Sequence, residues 1–256
     1  MRLLSILSVA SLLFVASACT PETPVPSTPE TEDPEPEVKP KPEVKTSGIL
    51  HLIGDSLCCI WAESARPKTG WGECLAAKLG GNAVVNNYAL SGRSSKSFID
   101  KGDWDKAVAN VKEGDLMLIQ FGANDGNTSD ATRYAEPYGA FTDNLKRFVR
   151  ETRAKGGIPV LITEPNAHVY GSDGQLKRSW GQYPEATRKV ASLTNVVLID
   201  ANELTYQGLR KLGEDASAKY YMVSVDGSDD THFTREGAEW VAALIVEELK
   251  AQGLWK

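Results

Sequence analysis

Short apolar runs recur along the chain at Ile49 to Ile53, Ala83 to Tyr88, Leu116 to Phe121, Ile158 to Ile162 and Val196 to Ile199. Each has the length of a strand, and unbroken apolarity suits strands covered on both faces. Helical patterns lie between them, including Trp104 to Val111, Pro137 to Ala154, Pro184 to Leu193 and Thr234 to Ala251. In the last of these Ala238, Val241, Ala242, Ile245 and Leu249 share one face, with Thr234 placed as an N-cap. Strands alternating with helices predict a central parallel sheet between two helical layers, a three-layer α/β/α sandwich of the flavodoxin-like kind. Ligand sites in such sheets gather at the carboxyl ends of the strands.

The N-terminal segment does not belong to that pattern. Arg2 is followed by an apolar run from Leu3 to Val15, then Ala16, Ser17, Ala18 and Cys19. The run is too short to span a bilayer and reads as a signal peptide over residues 1–18. Small residues before a cysteine resemble the bacterial lipobox, which implies cleavage before Cys19 and its acylation. Residues 19–47 are dominated by Pro, Glu, Thr, Val and Lys and hold eight of the thirteen prolines. Such a segment cannot bury a core and is expected to be an extended tether. The resulting expectation is a bacterial cell-envelope protein, an outer-membrane lipoprotein facing periplasm or cell surface and joined to the membrane through Cys19. Residues 48–256 are expected to form one domain.

The chain carries a net charge of −6, and the domain shows no basic patch, so nucleic acid is not an expected partner. Its cysteines, Cys58, Cys59 and Cys74, lack metal-ligand spacing, and neither zinc nor any cofactor is expected. A disulfide from Cys74 to Cys58 or Cys59 is one reading, and buried apolar cysteines are the other. A monomer is expected.

Polar motifs fall where the strands end. The first strand runs into Gly54-Asp55-Ser56-Leu57, the second into Leu90-Ser91-Gly92-Arg93 and the third into Gly122-Ala123-Asn124-Asp125. Asp229-Asp230-Thr231-His232 precedes the last helix. In this order the four blocks resemble those of the SGNH (GDSL) hydrolase superfamily. A serine at a strand-to-helix turn exposes its hydroxyl while its own N–H points to the oxygen that becomes negative during ester attack. Ser56 fits that role. Gly92, lacking a side chain, can bring up a second backbone N–H, and the Asn124 amide a third donor. His232 is the general base, and Asp229, three residues earlier in D-x-x-H spacing, holds the other imidazole nitrogen.

The chain has three histidines. His51 sits inside the first strand, where a structural role is expected, and His168 follows the fourth strand as a candidate substrate contact. Asp226 and Asp230 compete with Asp229 but lack its spacing to His232. Asp55 and Asp125 are expected to hydrogen-bond the turns that carry their neighbours.

Within the superfamily the chain resembles rhamnogalacturonan acetylesterases. The resemblance rests on Ile53 to Ser56, Gly70-Trp71-Gly72, Asn87 to Ser95, Phe121 to Gly126 and Asp229 to Thr234. Ala123 and Leu57 depart from it, standing where relatives often carry His and Thr. It implies a serine carbohydrate esterase that removes acetyl groups from an acetylated pectic polysaccharide or oligosaccharide. Tyr170, Trp180 and Tyr183 are candidates for stacking on sugars, and Arg93 and Arg178 for meeting a uronate. The alternatives are another SGNH activity (lipase, thioesterase or acyltransferase) or a non-catalytic glycan-binding lipoprotein.

Overall fold

The structure, a computed structural model, describes residues 46–81 and 83–256. The expected signal peptide, Cys19 and nearly all of the expected tether lie outside the described residues.

Five parallel strands form one sheet: β1 (Ile49–Gly54), β2 (Val84–Asn87), β3 (Leu116–Gln120), β4 (Ile158–Ile162) and β5 (Val197–Ile199), in the order β2-β1-β3-β4-β5. Register is continuous, Leu52 lying opposite Asn87 on one side and Leu118 on the other. Each strand sits within a residue or two of its apolar run. The helices are α1 (Trp71–Leu79), α2 (Ser95–Asp100), α3 (Asp103–Val108), α4 (Thr142–Ala154), α5 (Tyr183–Thr194), α6 (Ala201–Leu212), α7 (Glu214–Ser217), α8 (Val223–Asp226) and α9 (Arg235–Ala251).

Alternate residues of each strand enter opposite halves of the core, as the pleat requires. Leu50, Leu52, Leu116, Leu118, Val160 and Ile162 pack with Trp71 and Leu75 of α1 and Val241, Ile245 and Leu249 of α9. Ile53, Met117, Ile119 and Leu161 pack with Phe98, Trp104, Phe148 and Val190 on the other face. These side chains are all buried, and each fully buried one contributes roughly 1.5–3 kcal/mol by leaving water. The three-layer sandwich is the architecture found.

Caps set several helix starts. Thr234 Oγ1 accepts the Gly237 N–H at 3.2 Å ahead of α9, and Ser94 and Ser97 cap α2 reciprocally. The helix expected from Pro137 is interrupted: residues Pro137–Phe141 form a wider turn in which Gly139 (φ −118°, ψ −110°) leaves helical geometry, and α4 begins at Thr142. A proline at the head of that turn has no N–H to continue a helix backward.

The chain order places a switch point at β1. From β1 it passes outward to β2, then returns across β1 to β3 on the other side. The loops after β1, β2 and β3 therefore open onto one crevice at the carboxyl edge of the sheet.

Candidate active site

β1 ends at Gly54 and the chain turns at once through Asp55, Ser56 and Leu57. The turn winds round Asp55, whose Oδ1 accepts the Leu57 N–H at 2.9 Å and whose carbonyl accepts the Cys58 and Cys59 N–H groups. Beneath it sits the start of α1, close enough that only glycine fits. A Cβ on Gly70 would stand 2.0 Å from the Cys59 carbonyl oxygen, and one on Gly72 2.3 Å from that of Cys58. Between them Trp71 donates from Nε1 to Gln120 Oε1 at 3.2 Å, and Gln120 Nε2 donates to Asp55 Oδ2 at 3.2 Å. Burial pushes the Asp55 carboxyl up to about 7 despite these donors. Asp55 thus serves the turn, as expected of it.

Ser56 Oγ lies 2.9 Å from His232 Nε2, and His232 Nδ1 lies 2.9 and 3.0 Å from the two carboxylate oxygens of Asp229. Burial disfavours the charged form of Asp229. Hydrogen bonds from Lys68, the His232 backbone N–H and the ring outweigh that and hold its carboxyl well below the usual range. An ionised carboxylate only accepts, so Nδ1 carries the ring proton and Nε2 is left to accept from the Ser56 hydroxyl. The competing acids have other tasks. Asp226 Oδ1 accepts the Ser228 and Asp229 N–H groups at 2.9 Å each, shaping the turn that presents Asp229, and Asp230 meets the Thr231 hydroxyl.

Two residues at this site were not singled out from sequence. Trp61 donates from Nε1 to the Ser56 carbonyl at 3.1 Å, and its ring stands edge-on to His232 with centroids 5.3 Å apart. Lys68 Nζ lies 2.7 Å from Asp229 Oδ2 and 5.1 Å from the Trp61 ring centroid. They lie on an irregular loop without periodicity, and the only signal was an aromatic residue five positions after a candidate nucleophile.

Gly92 and Asn124 come to the same crevice. Leu90 N–H donates to the Gly54 carbonyl at 3.1 Å, tying the loop after β2 to the end of β1. Gly92 has φ +74°, a left-handed conformation that suits glycine. Asn124 Nδ2 donates to the Arg93 carbonyl at 3.0 Å, which leaves its second amide hydrogen available. Neither the Ser56 N–H nor the Gly92 N–H donates to an acceptor among the described residues.

Behind Asn124 stand two buried acids. Asp125 accepts from the Ser95 N–H and hydroxyl, anchoring the loop after β3 to α2, while burial pushes its carboxyl up to about 7. Glu164, just past β4, has neither carboxylate oxygen partnered, and burial pushes it well above the ordinary carboxylate range. Gly122 (φ +135°) lets the loop pass against it, since a Cβ there would lie 1.2 Å from Glu164 Oε1.

The remaining candidates have partners within the protein. His51 is structural, with Nε2 3.0 Å from Asp115 Oδ2 beneath Tyr88. His168 is buried, its Nε2 3.0 Å from both the Glu214 carbonyl and Ser217 Oγ, on a separate pocket of about 390 Å³. Tyr183 packs on Phe141 with its hydroxyl donating to the Asp125 and Ala135 carbonyls, so it is a core residue and no sugar platform. Trp180 donates to the Pro165 carbonyl, Tyr170 to that of Leu209, and Arg178 pairs with Glu203. Cys58, Cys59 and Cys74 form no disulfide among the described residues. Cys58 and Cys59 turn their Sγ atoms back to the Asp55 and Ser56 carbonyls, Cys74 is buried in α1, and burial pushes the Cys59 thiol up to about 12.

The sequence pattern of the GDSL-like Lipase/Acylhydrolase family matches residues 52–240. A probable rhamnogalacturonan acetylesterase of Bacillus subtilis, YesY, is 33% identical over 80% of this chain and 94% of its own. RhgT, a rhamnogalacturonan acetylesterase of the same organism, is 30% identical over 80% and 90%. The crystal structure of B. subtilis YxiM superposes with a TM-score of 0.71 at 27% identity, covering 80% of this chain; this chain spans 57% of that one. Axe2, an acetylxylan esterase from Geobacillus stearothermophilus, shares the fold with a TM-score of 0.59 at 16% identity over 84% of this chain and 97% of that one. With the match running from inside β1 to within α9, the chain belongs to the GDSL-like lipase/acylhydrolase family and is a carboxylic ester hydrolase.

Proposed function

We propose that the protein removes acetyl groups from a pectic, rhamnogalacturonan-like polysaccharide, with Ser56 as nucleophile, His232 as general base and Asp229 as the orienting acid. The observation that carries this reading is the unbroken relay from Ser56 Oγ through His232 to Asp229, with bonds of 2.9 Å at each step. The names of YesY and RhgT support the carbohydrate and its acetyl ester.

In this mechanism Ser56 Oγ attacks the acetyl carbonyl carbon and its proton passes to His232 Nε2. The carbonyl oxygen, now negative, is met by the N–H groups of Ser56 and Gly92 and the amide of Asn124. Collapse expels the sugar oxygen, which takes the proton from Nε2, and leaves acetyl-Ser56. Water then attacks the acyl carbon, giving its proton to Nε2, and a second collapse returns Ser56 and acetate. Asp229 keeps the ring in the tautomer that each step needs and stabilises the imidazolium.

Replacing Ser56 with Ala is the direct test, read as acetate release from acetylated rhamnogalacturonan by protein shown to be folded. Activity is expected to fall by several orders of magnitude. Substantial residual turnover removes Ser56 from the mechanism. Wild-type preference for long-chain over acetyl esters would favour a lipase instead.

We further propose, from the lipobox-like residues before Cys19, that the domain is held at a bacterial envelope by an acylated Cys19. Fatty-acid labelling of wild type and its loss in Cys19→Ala are expected; equal partition of both proteins into membranes counts against it.

A further inference from the structure

A pocket of about 250 Å³ opens directly beside the loop that carries Gly92, between Ser91–Arg93 and the turn at 130–133. Its charged lining is Arg93, Lys101, Arg133 and Asp130, three cations against one acid, in a chain whose net charge is −6. The acid is already committed. Asp130 Oδ1 accepts the N–H and hydroxyl of Thr132, and Oδ2 takes Arg133 Nε at 2.9 Å. Arg133 is thereby held with its terminal nitrogens free of partners among the described residues, Nη1 lying 3.8 Å from where a Cβ on Gly92 would stand. Arg93 likewise spends Nε on Asp103 at 2.7 Å and keeps its terminal nitrogens. Lys101 is exposed and makes no ion pair among the described residues.

We propose that this pocket is a subsite for the carboxylate of a uronosyl residue next to the acetylated sugar. The inference rests on the esterase reading above and adds to it the feature by which the substrate is selected. Two guanidinium groups with paired free nitrogens match the planar, two-oxygen geometry of a carboxylate, and a lysine adds a mobile charge. The volume is below the roughly 300–1,000 Å³ of pockets that enclose a whole ligand, as suits one substituent of a longer chain. Its position is the main argument. Gly92, whose N–H is proposed to meet the reacting ester, also lines the pocket, while the Arg93 carbonyl holds Asn124. One short loop therefore touches both the anion and the ester, and a bound uronate fixes the register of the acetyl group relative to Ser56. The cationic groups were legible in the sequence only as Arg93; Lys101 and Arg133 come from a helix end and a turn remote in sequence.

The test separates binding from turnover by using the Ser56→Ala protein. Its affinity for an oligogalacturonate is measured by calorimetry against the carboxyl-reduced oligosaccharide and a sulfated oligogalactan. A preference of about ten-fold or more for the oligouronate over the carboxyl-reduced form is expected, the scale of one or two charge-assisted hydrogen bonds. That preference should fall toward one when Lys101→Gln or Arg133→Gln is added, and should weaken with salt. Lys101 is exposed and unpaired, so its variant keeps the test valid if Arg133→Gln disturbs the turn. Equal affinity for charged and reduced oligosaccharides, or a preference that survives Lys101→Gln and Arg133→Gln, overturns the subsite. Tighter binding of the sulfated glycan than the uronate overturns the carboxylate assignment. Failure of the esterase reading shows separately, as absence of acetate release by wild type from any acetylated glycan.

Discussion

Lys68 and Asp229 form an ion pair, Nζ to Oδ2 at 2.7 Å, on the same carboxylate that holds the His232 ring. The lysine lowers the cost of keeping that carboxylate charged. Lys68→Met removes that support, so the Asp229 carboxyl takes up its proton at higher pH. The acid limb of the pH–rate profile is expected to move to higher pH, with kcat lowered by several-fold because Asp229 loses one of the groups that fix it. A profile superimposable on wild type would reduce Lys68 to a surface contact.

Asn124 keeps one amide hydrogen on the Arg93 carbonyl and has one to spare. If the spare hydrogen meets charge that develops only in the transition state, Asn124→Ala lowers kcat by roughly 10²- to 10³-fold and leaves KM nearly unchanged. A turn-forming role would instead lower the melting temperature and spare turnover per folded molecule. Measuring kcat, KM and melting temperature on one purified variant distinguishes them.

Asp55 and Asp125 predict an unusual pH dependence of stability. Burial lifts both carboxyls to about 7, whereas in the unfolded chain they titrate near 4. Between those values the folded state binds more protons than the unfolded state, so the contribution of these two groups falls as pH rises. Asp229 acts oppositely: its folded value is depressed, so its contribution is present above about pH 4 and is lost on acidification. Asp125→Asn is expected to flatten the decline between about pH 4 and 7, read from urea midpoints across that range. An unchanged slope would mean that Asp125 is ionised in the folded state.

The sheet and most of the site were legible because their signals are local. Leu116 to Gln120 is apolar enough to need cover on both faces, and Asp229 and His232 lie within one turn of each other. Trp61 and Lys68 were not, because their roles come from a loop folded back over the crevice rather than from any periodicity. The cysteines left two readings open for a related reason: whether Cys58 meets Cys74 depends on where its Sγ points, and it points to the Asp55 carbonyl. Tyr183 looked like a sugar platform because aromatics in loops are common ligands, yet it opens α5 and its ring is taken up by the core.

The hydrogen bond from Ser56 to His232 closes a loop of 176 positions, and the Trp255 indole reaches the Leu79 carbonyl across the same interval. Between them α1 and α9 lie side by side on one face of the sheet, so the domain's first and last helices are clasped together in a single layer. In the proposed mechanism turnover is therefore a report on topological completion, because nucleophile and base meet only when the two ends of the domain have come together. For a ribosome making this chain, the same arrangement means that a site built on Ser56 and His232 cannot assemble until the segment bearing His232 has emerged, 176 positions after the serine.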